Sequence, residues 1–410
     1  MRYLSRYRQG ENLTVIFHSV TILTFFFFIP IMAFGAETTV NCPSESINSA
    51  ISALPPLQAN TITVAGTCNE QVNIDFKDRL TIQGGPDATI GWTGGGSVIQ
   101  INNSRAIVLQ GLLITGGRDG IQVTGSEVNL DGSRIQGNTR NGIYAMQEST
   151  ITVSNSTLSN NYRGIRTDSS FLEINGGVKI QNNRFHGISC NLSTVKFSGP
   201  PFADEENIVS DNGFDFGSGL GVLVGFGTRS EWQGQNTIKH NKSGGVQVNA
   251  TSYANFIGRD DGATTIEEHE GYGILSAGTS TVYISGPVKI RNNGLNDGGP
   301  GILAQQNASL ALYSVGESVP EITNNAGPGV WAEGNVSVEI SSVKILNNSA
   351  EGMRLTYLST AKFIASGSPT LISGNGVAAI ACDDTSVPYG DLTGISPINC
   401  KSYQPEKTKK

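Results

Sequence analysis

The stretch KIQNNRFHGIS, Lys179 to Ser189, decides the fold, because each of its parts returns along the chain. It sets paired asparagines before one of only four histidines and a Gly-Ile step directly after it. Glycine followed by a small or aliphatic residue recurs at Gly120, Gly142, Gly164, Gly187, Gly221, Gly245, Gly273, Gly301, Gly329, Gly352 and Gly376, mostly 22 to 28 residues apart. A segment of the form x-I-x-N-N ends at Asn161, Asn183, Asn293, Asn325 and Asn348, with weaker copies ending at Asn138, Asn212, Asn241 and Asn375. A third segment, S-x-V-x-V, opens at Ser126, Ser149, Ser170, Ser193, Ser280 and Ser359. The last two alternate apolar with polar residues, the two-residue period of a strand.

Each repeat thus offers three short strands joined by turns, too little to bury an apolar face alone, so successive repeats must stack. In a parallel solenoid the apolar positions point inward and like residues fall about 4.8 Å apart in neighbouring coils. Asn182 and Asn183, with their counterparts, are then expected to form a ladder of side-chain amides. With the less regular strands from Thr61 onward, roughly twelve to fourteen coils would give a stack about 60 Å long. Its ends need covers. Ile47, Ala50, Ile51 and Leu54 at i, i+3, i+4 and i+7 predict an amphipathic cap helix with serine N-caps.

The first residues are basic at Arg2, Arg6 and Arg8, then apolar from Val20 to Met32, then small-x-small at Ala33-Phe34-Gly35. That order reads as a secretory signal peptide spanning residues 1–35; an uncleaved anchor is the alternative, weakened by Thr24 and Pro30. Cleavage removes three arginines and Glu11, taking the formal charge from −7 to −9. A chain this acidic is a poor partner for nucleic acid. With the leader gone, no stable membrane insertion is expected. Export also suits the five cysteines. Cys42 with Cys68, and Cys382 with Cys400, are the economical pairs, each closing a short loop at one end of the chain, and Cys190 is left as a small buried thiol. The division expected is signal peptide 1–35, N-terminal cap 36–60, repeats 61–381, a stapled cap 382–400 and a polar tail 401–410.

These features resemble the right-handed parallel β-helix proteins of the pectin lyase-like superfamily. The likeness rests on the NN…GI…S-x-V-x-V coil and on the opening TITVAGTCNEQVNI…RLTIQGG behind the cap helix, and it spans about Asn41 to Cys400. It implies an all-β, right-handed parallel β-helix (solenoid) with a short N-terminal cap helix and an irregular, disulfide-stapled C-terminal cap. The family includes lyases, glycoside hydrolases, epimerases and glycan-binding surface proteins, so it implies no single activity. Its enzyme motifs do not carry over. The ordered set of the polygalacturonases fails, because Asp260-Asp261 follows His186-Gly187, no Asn-Thr-Asp occurs, and Lys289-Ile290-Arg291 reverses the basic pair. The alginate epimerase signature and an arginine-rich pectate lyase motif are also missing.

In the family the S-x-V strand is the first of each coil, x-I-x-N-N the second, and G-I opens the third; substrate grooves usually lie on the first-strand face. Outward positions there run Phe171, Thr194, Arg229, Tyr253, Thr281 in one column and Glu173, Lys196, Glu231, Asn255, Tyr283 beside it. Two long turns flank its middle and bring Asp204, and Asp260 with Asp261. Aromatic rings stack on sugars, and carboxylates and bases bond hydroxyls or move protons. A glycan-binding site is therefore expected at Phe171, Glu173, Lys196, Asp204, Arg229, Glu231, Tyr253, Asp260, Asp261 and Tyr283. The plainer account is that Glu173, Lys196 and Glu231 alternate in sign and simply stabilise the sheet.

Asp260 and Asp261 supply hard oxygen ligands suited to calcium, without a full ligand set; no other cofactor is expected. In IEEHEG, Ile266 to Gly271, the register puts Glu268 and His269 in the asparagine slots, read as a solvated interruption of the ladder. His186 shares its slot with Arg163, Asn141 and Asp119, and so reads as an exposed turn residue. The sequons at Asn191, Asn249 and Asn307 follow from a repeat rich in Asn and Ser. The function expected is noncatalytic binding of polysaccharide or a surface partner by a secreted, periplasmic or cell-surface protein. The alternatives are a polysaccharide lyase, glycoside hydrolase or uronate epimerase, and a structural or adhesive spacer.

Overall fold

The alternation seen in the sequence becomes three parallel sheets of 15, 13 and 14 strands, formed respectively by the S-x-V, x-I-x and G-I segments. Each strand pairs with its equivalent one coil before and after, which makes a right-handed parallel β-helix of about 14 turns. The computed structural model describes residues 35–401 except 57, 86, 200–205, 216, 259–261 and 366–367. The proposed leader and most of the polar tail lie outside the described residues. Among the described residues no helix is long and apolar enough to cross a membrane.

Inward columns of aliphatic side chains fill the core, as Leu172, Val195, Val282 and Leu310 do from the first sheet. Midway along, Phe197, Trp232 and Phe256 stack in consecutive coils with centroids 3.6 and 5.1 Å apart. The small Ser230 beside Trp232 accepts the indole N–H at 3.2 Å, so no buried donor is stranded there.

At the lower end strand Glu37–Asn41 begins the first sheet and helix Ile47–Ala53 closes it, with Ile47 and Ile51 buried. Ser46 is the N-cap, and Glu70 accepts the Ile47 amide at 2.6 Å, supplying negative charge at the helix start. Cys42–Cys68 and Cys382–Cys400 are both disulfides, and Cys190 is a buried free thiol whose pKa burial pushes up to about 12. Inside the C-terminal stapled region, Val387–Gly390 and Ile398–Cys400 still pair into the first and third sheets.

The turn between second and third strands explains the paired asparagines, and corrects their assignment. The first of each pair, such as Asn160, Asn182, Asn292 and Asn324, takes φ near +55° and makes the bend. Only the second enters the ladder: Asn161 accepts from both Asn138 amides, Asn183 from Asn161, and Asn212 from Asn183, at 2.9 to 3.3 Å. Asn182 therefore bends the chain beside the ladder instead of belonging to it. The Gly-Ile step has a matching cause. A Cβ on Gly164 would lie 2.6 Å from the Gly187 carbonyl and 2.4 Å from Ile180 Cγ2. Gly376 is out of this register, its place being taken by Ala379 next to Ile380.

Two histidines expected in solvent are buried. His269 is a full ladder member: its Nδ1 accepts the Asn241 amide at 3.0 Å and its own N–H donates to Asn293 at 3.3 Å. Its Nε2 faces the Ile238 carbonyl without reaching hydrogen-bond geometry. His186 is buried because its column does the same work in the next row. Its Nδ1 accepts the Leu220 amide at 3.1 Å, as Asp119, three coils earlier in the same column, accepts the Asn141 amide at 3.2 Å. Asp119 and His186 thus accept a backbone N–H from the following coil, while Asn141 donates back to Asp119 at 2.6 Å, and polar variety in the slot does not make it exposed.

Burial holds both imidazoles neutral and lowers their pKa to about 3, with Arg163 adding to the effect at His186. In the unfolded chain they titrate near 6.5. Stability fully present above that value is therefore lost as pH falls toward 3, because the unfolded chain binds more protons in that window. His269→Asn restores the amide ladder and should recover on the order of 2–3 kcal/mol at pH 4.5 relative to its effect at pH 7.5. Chemical denaturation at the two pH values checks this; equal effects would refute it. Gly164→Ala should lower stability by about 1–3 kcal/mol through forced repacking, read as a shifted denaturation midpoint without loss of the helix signature in circular dichroism.

Candidate functional site

The first sheet sets its outward side chains in straight columns because every pairing is in register. Glu173, Lys196, Glu231, Asn255 and Tyr283 occupy one row of consecutive strands, and Phe171, Thr194, Arg229, Tyr253 and Thr281 the adjacent row. Asp204, Asp260 and Asp261, and with them the calcium expectation, lie outside the described residues. Glu206, at the end of the first acidic turn, is tied to the Thr237 hydroxyl. Among the described residues no three His, Cys, Asp or Glu side chains are grouped so as to hold a metal ion.

The carboxylates of the face are engaged by their neighbours. Glu173 meets Lys196 at 3.3 Å and accepts from Ser198 at 3.3 Å. Glu231 is bonded by Gln233 in its own strand. Further along, Glu339 pairs with Lys362 at 3.1 Å, and the Tyr313 hydroxyl with Lys362 holds its carboxyl below the usual range. Burial and Glu339 in turn raise the Tyr313 phenol.

What stays open is aromatic. Tyr253, Tyr283 and Tyr313 stand on three consecutive strands, each one outward position further along its strand than the last. All three are half-buried. The Arg229 guanidinium lies 5.3 Å from the Tyr253 centroid, and the Tyr283 and Tyr313 rings are 5.4 Å apart at 30°. They form a diagonal track across the sheet, whereas Phe171 sits three strands from Tyr253, about 14 Å away. Sequence reading missed Tyr313. Extending the two columns by a third, two residues on, would have found it.

The acidic run Ile266 to Gly271 serves coil-to-coil pairing. Glu267 meets Arg291 at 2.7 Å, Glu268 contacts His240, and Glu270 contacts Lys242. Beside these pairs, at the asparagine turn, a cleft of about 320 Å³ is lined by Asp211, Phe214, His240, Lys242 and Glu270. Its charges satisfy one another, with His240 also 3.6 Å from Asp211.

Residues 78–261 match the family model described as right handed beta helix region. Among curated proteins no sequence matches the chain. Similar solved structures include a mutant of a periplasmic alginate epimerase, at 10% identity over 88% of this chain and 83% of that one, with a TM-score of 0.49. The A-module of a mannuronan C-5 epimerase from Azotobacter vinelandii is 12% identical over 84% and 95%, with a TM-score of 0.46. An alginate lyase from Paenibacillus sp. str. FPU-7 is 12% identical over 85% and 99%, with a TM-score of 0.38. Identities this low say nothing about activity. Residues 78–261 carry that family match and the three in-register sheets run through the described chain, so the chain has the fold of a right-handed parallel β-helix.

Proposed function

We propose that this protein is a noncatalytic β-helix that binds an extended polysaccharide along the first-sheet face. The observation that carries the reading is the Tyr253–Tyr283–Tyr313 diagonal, whose half-exposed rings offer apolar faces to sugars while their hydroxyls offer hydrogen bonds. Arg229 and Asn255 add polar contacts at one end. Among the described residues the carboxylates of this face speak against catalysis, because Glu173, Glu231 and Glu339 are each already bonded to a lysine, a glutamine or a hydroxyl. A general acid or base needs a free approach to the proton it moves.

Export supports the same reading. Two disulfides suit an oxidising compartment, and residues 1–35 are our candidate for the cleaved leader. A secreted, periplasmic or surface-held protein meets polysaccharide there.

Titration of the full chain against a panel of neutral and uronate hexasaccharides tests the reading. At least one glycan should bind without change to its length or composition. Tyr283→Ala should weaken that binding by roughly tenfold, about 1.4 kcal/mol, and Tyr313→Ala similarly. Unaltered affinity in both variants would remove the track, and unsaturated products, new reducing ends or an altered uronate ratio would make the protein an enzyme.

A further inference from the structure

A second feature lies on another side of the coil, where the asparagine turn runs into the third sheet. Four consecutive coils each contribute at least one arginine there: Arg118, then Arg140, then Arg163 with Arg166, then Arg184. The guanidinium groups of Arg140, Arg163 and Arg166 are laid against aromatic rings. Arg140 and Arg166 lie 5.8 and 5.2 Å from the centroid of Tyr144, which shares a coil with Arg140 and pairs with Arg166 on the next strand. Arg163 lies 4.8 Å from Tyr162 and 5.2 Å from Phe185, two rings that stack 5.5 Å apart.

The local charges do not balance. Arg118 is paired with Asp119, Arg166 with Asp168, and Arg184 with Asp215. Asp168 is fully used, since it also accepts from Tyr144 at 2.9 Å and from Asn191 at 3.0 Å. Among the described residues no carboxylate reaches Arg140 or Arg163. The Arg163 Nε is buried and finds no acceptor. Burial pulls this guanidinium below its ordinary pKa, and Arg166 and Arg140 beside it add to the effect. Two unpaired cations, one half-buried, are costly to hold together. In a chain of formal charge −7 they are also out of character. An anionic ligand would relieve both.

We infer that this arginine corner is a binding site for an acidic polysaccharide that carries a carboxylate or a sulfate on successive sugars and runs along the solenoid axis. Arg140 and Arg163, the two without a carboxylate partner, belong to neighbouring coils and so stand one step of about 4.8 Å apart along the axis, close to the length of one sugar in an extended chain. Arginine offers paired N–H donors that match the two oxygens of a carboxylate or sulfate. Tyr144, Tyr162 and Phe185 lie against the guanidinium groups and hold them in place. Duplex nucleic acid is the poorer fit, because its charge density of about one per 1.7 Å of axis meets long-range repulsion from the acidic remainder of the chain. The site is independent of the tyrosine track, which lies on the first sheet.

Titration calorimetry of the full chain at low and moderate salt tests this with four probes: a hexauronate, a heparin hexasaccharide, cellohexaose and an oligothymidylate. At least one of the two acidic sugars should bind, with affinity falling as salt rises. Which of them binds more tightly distinguishes carboxylate from sulfate. Arg140→Gln should weaken that binding at least tenfold, and Arg140→Lys less, while Tyr283→Ala leaves it within twofold. Arg140 is chosen because its side chain is not in the core; thermal unfolding and circular dichroism verify that the variant folds, and Arg163→Gln provides the second measurement. Cellohexaose binding that Arg140→Gln weakens as much as it weakens the acidic sugars, oligothymidylate binding more tightly, no acidic sugar binding at all, or unchanged affinity in both arginine variants would each overturn the inference; cellohexaose binding lost only in Tyr283→Ala belongs to the tyrosine track and leaves it standing. Loss of acidic-sugar binding in Tyr283→Ala but not in the arginine variants would also overturn it and assign that ligand to the first sheet.

Discussion

The close approach of one coil to the next at the Gly-Ile step is the constraint on which the rest depends. With the Gly187 carbonyl 2.6 Å from where a Gly164 Cβ would stand, even a methyl group forces repacking there, and slippage would bring larger side chains to the same point. The asparagine ladder runs past the same point, each side-chain oxygen accepting from the coil behind while the amide groups donate to the coil ahead and to a carbonyl behind. A sheet pairing shifted by one residue would turn every side chain over. Glycine sterics and ladder hydrogen bonds together forbid that shift. The outward columns are straight because the inward contacts permit a single register.

Straight columns turn a repeat into a ruled surface, and function becomes a question of what is written on each side. On the first sheet the charges are spent on one another and the rings of Tyr253, Tyr283 and Tyr313 are left partly open. At the corner of the third sheet the reverse holds, with rings covered by guanidinium groups and two cations left over. The same 4.8 Å step underlies both surfaces. It makes a solenoid suited to a ligand that is itself a linear repeat.

How much of this was legible in sequence depended on whether a residue type has one structural use or several. Glycine before isoleucine, the second asparagine of each pair, and the alternating Ser-x-Val strands each have one use, so the three-sheet coil, both disulfides and the cap helix could be read off. Histidine has several. His186 and His269 were read as solvent-facing because polar variety in a column suggests exposure, yet both accept backbone amides inside the stack. Asn182 could not be told from Asn183 by type, since the left-handed turn and the ladder both favour asparagine. Tyr313 and the arginine corner were missed for a different reason. Long side chains lean across columns, and which neighbours they reach depends on the packing of three coils at once. The proposed acidic turns at Asp204 and Asp260 fall among residues the structure does not describe.

The central claim is that register-locked columns present a tyrosine track to a glycan chain, and a crystal structure of the protein grown with a glycan that binds it tests this most directly. Sugar rings stacked along Tyr253, Tyr283 and Tyr313, with an intact glycosidic chain crossing the three strands, is the result predicted. A glycan seated with none of those tyrosines in contact, or cleaved in place, would contradict it.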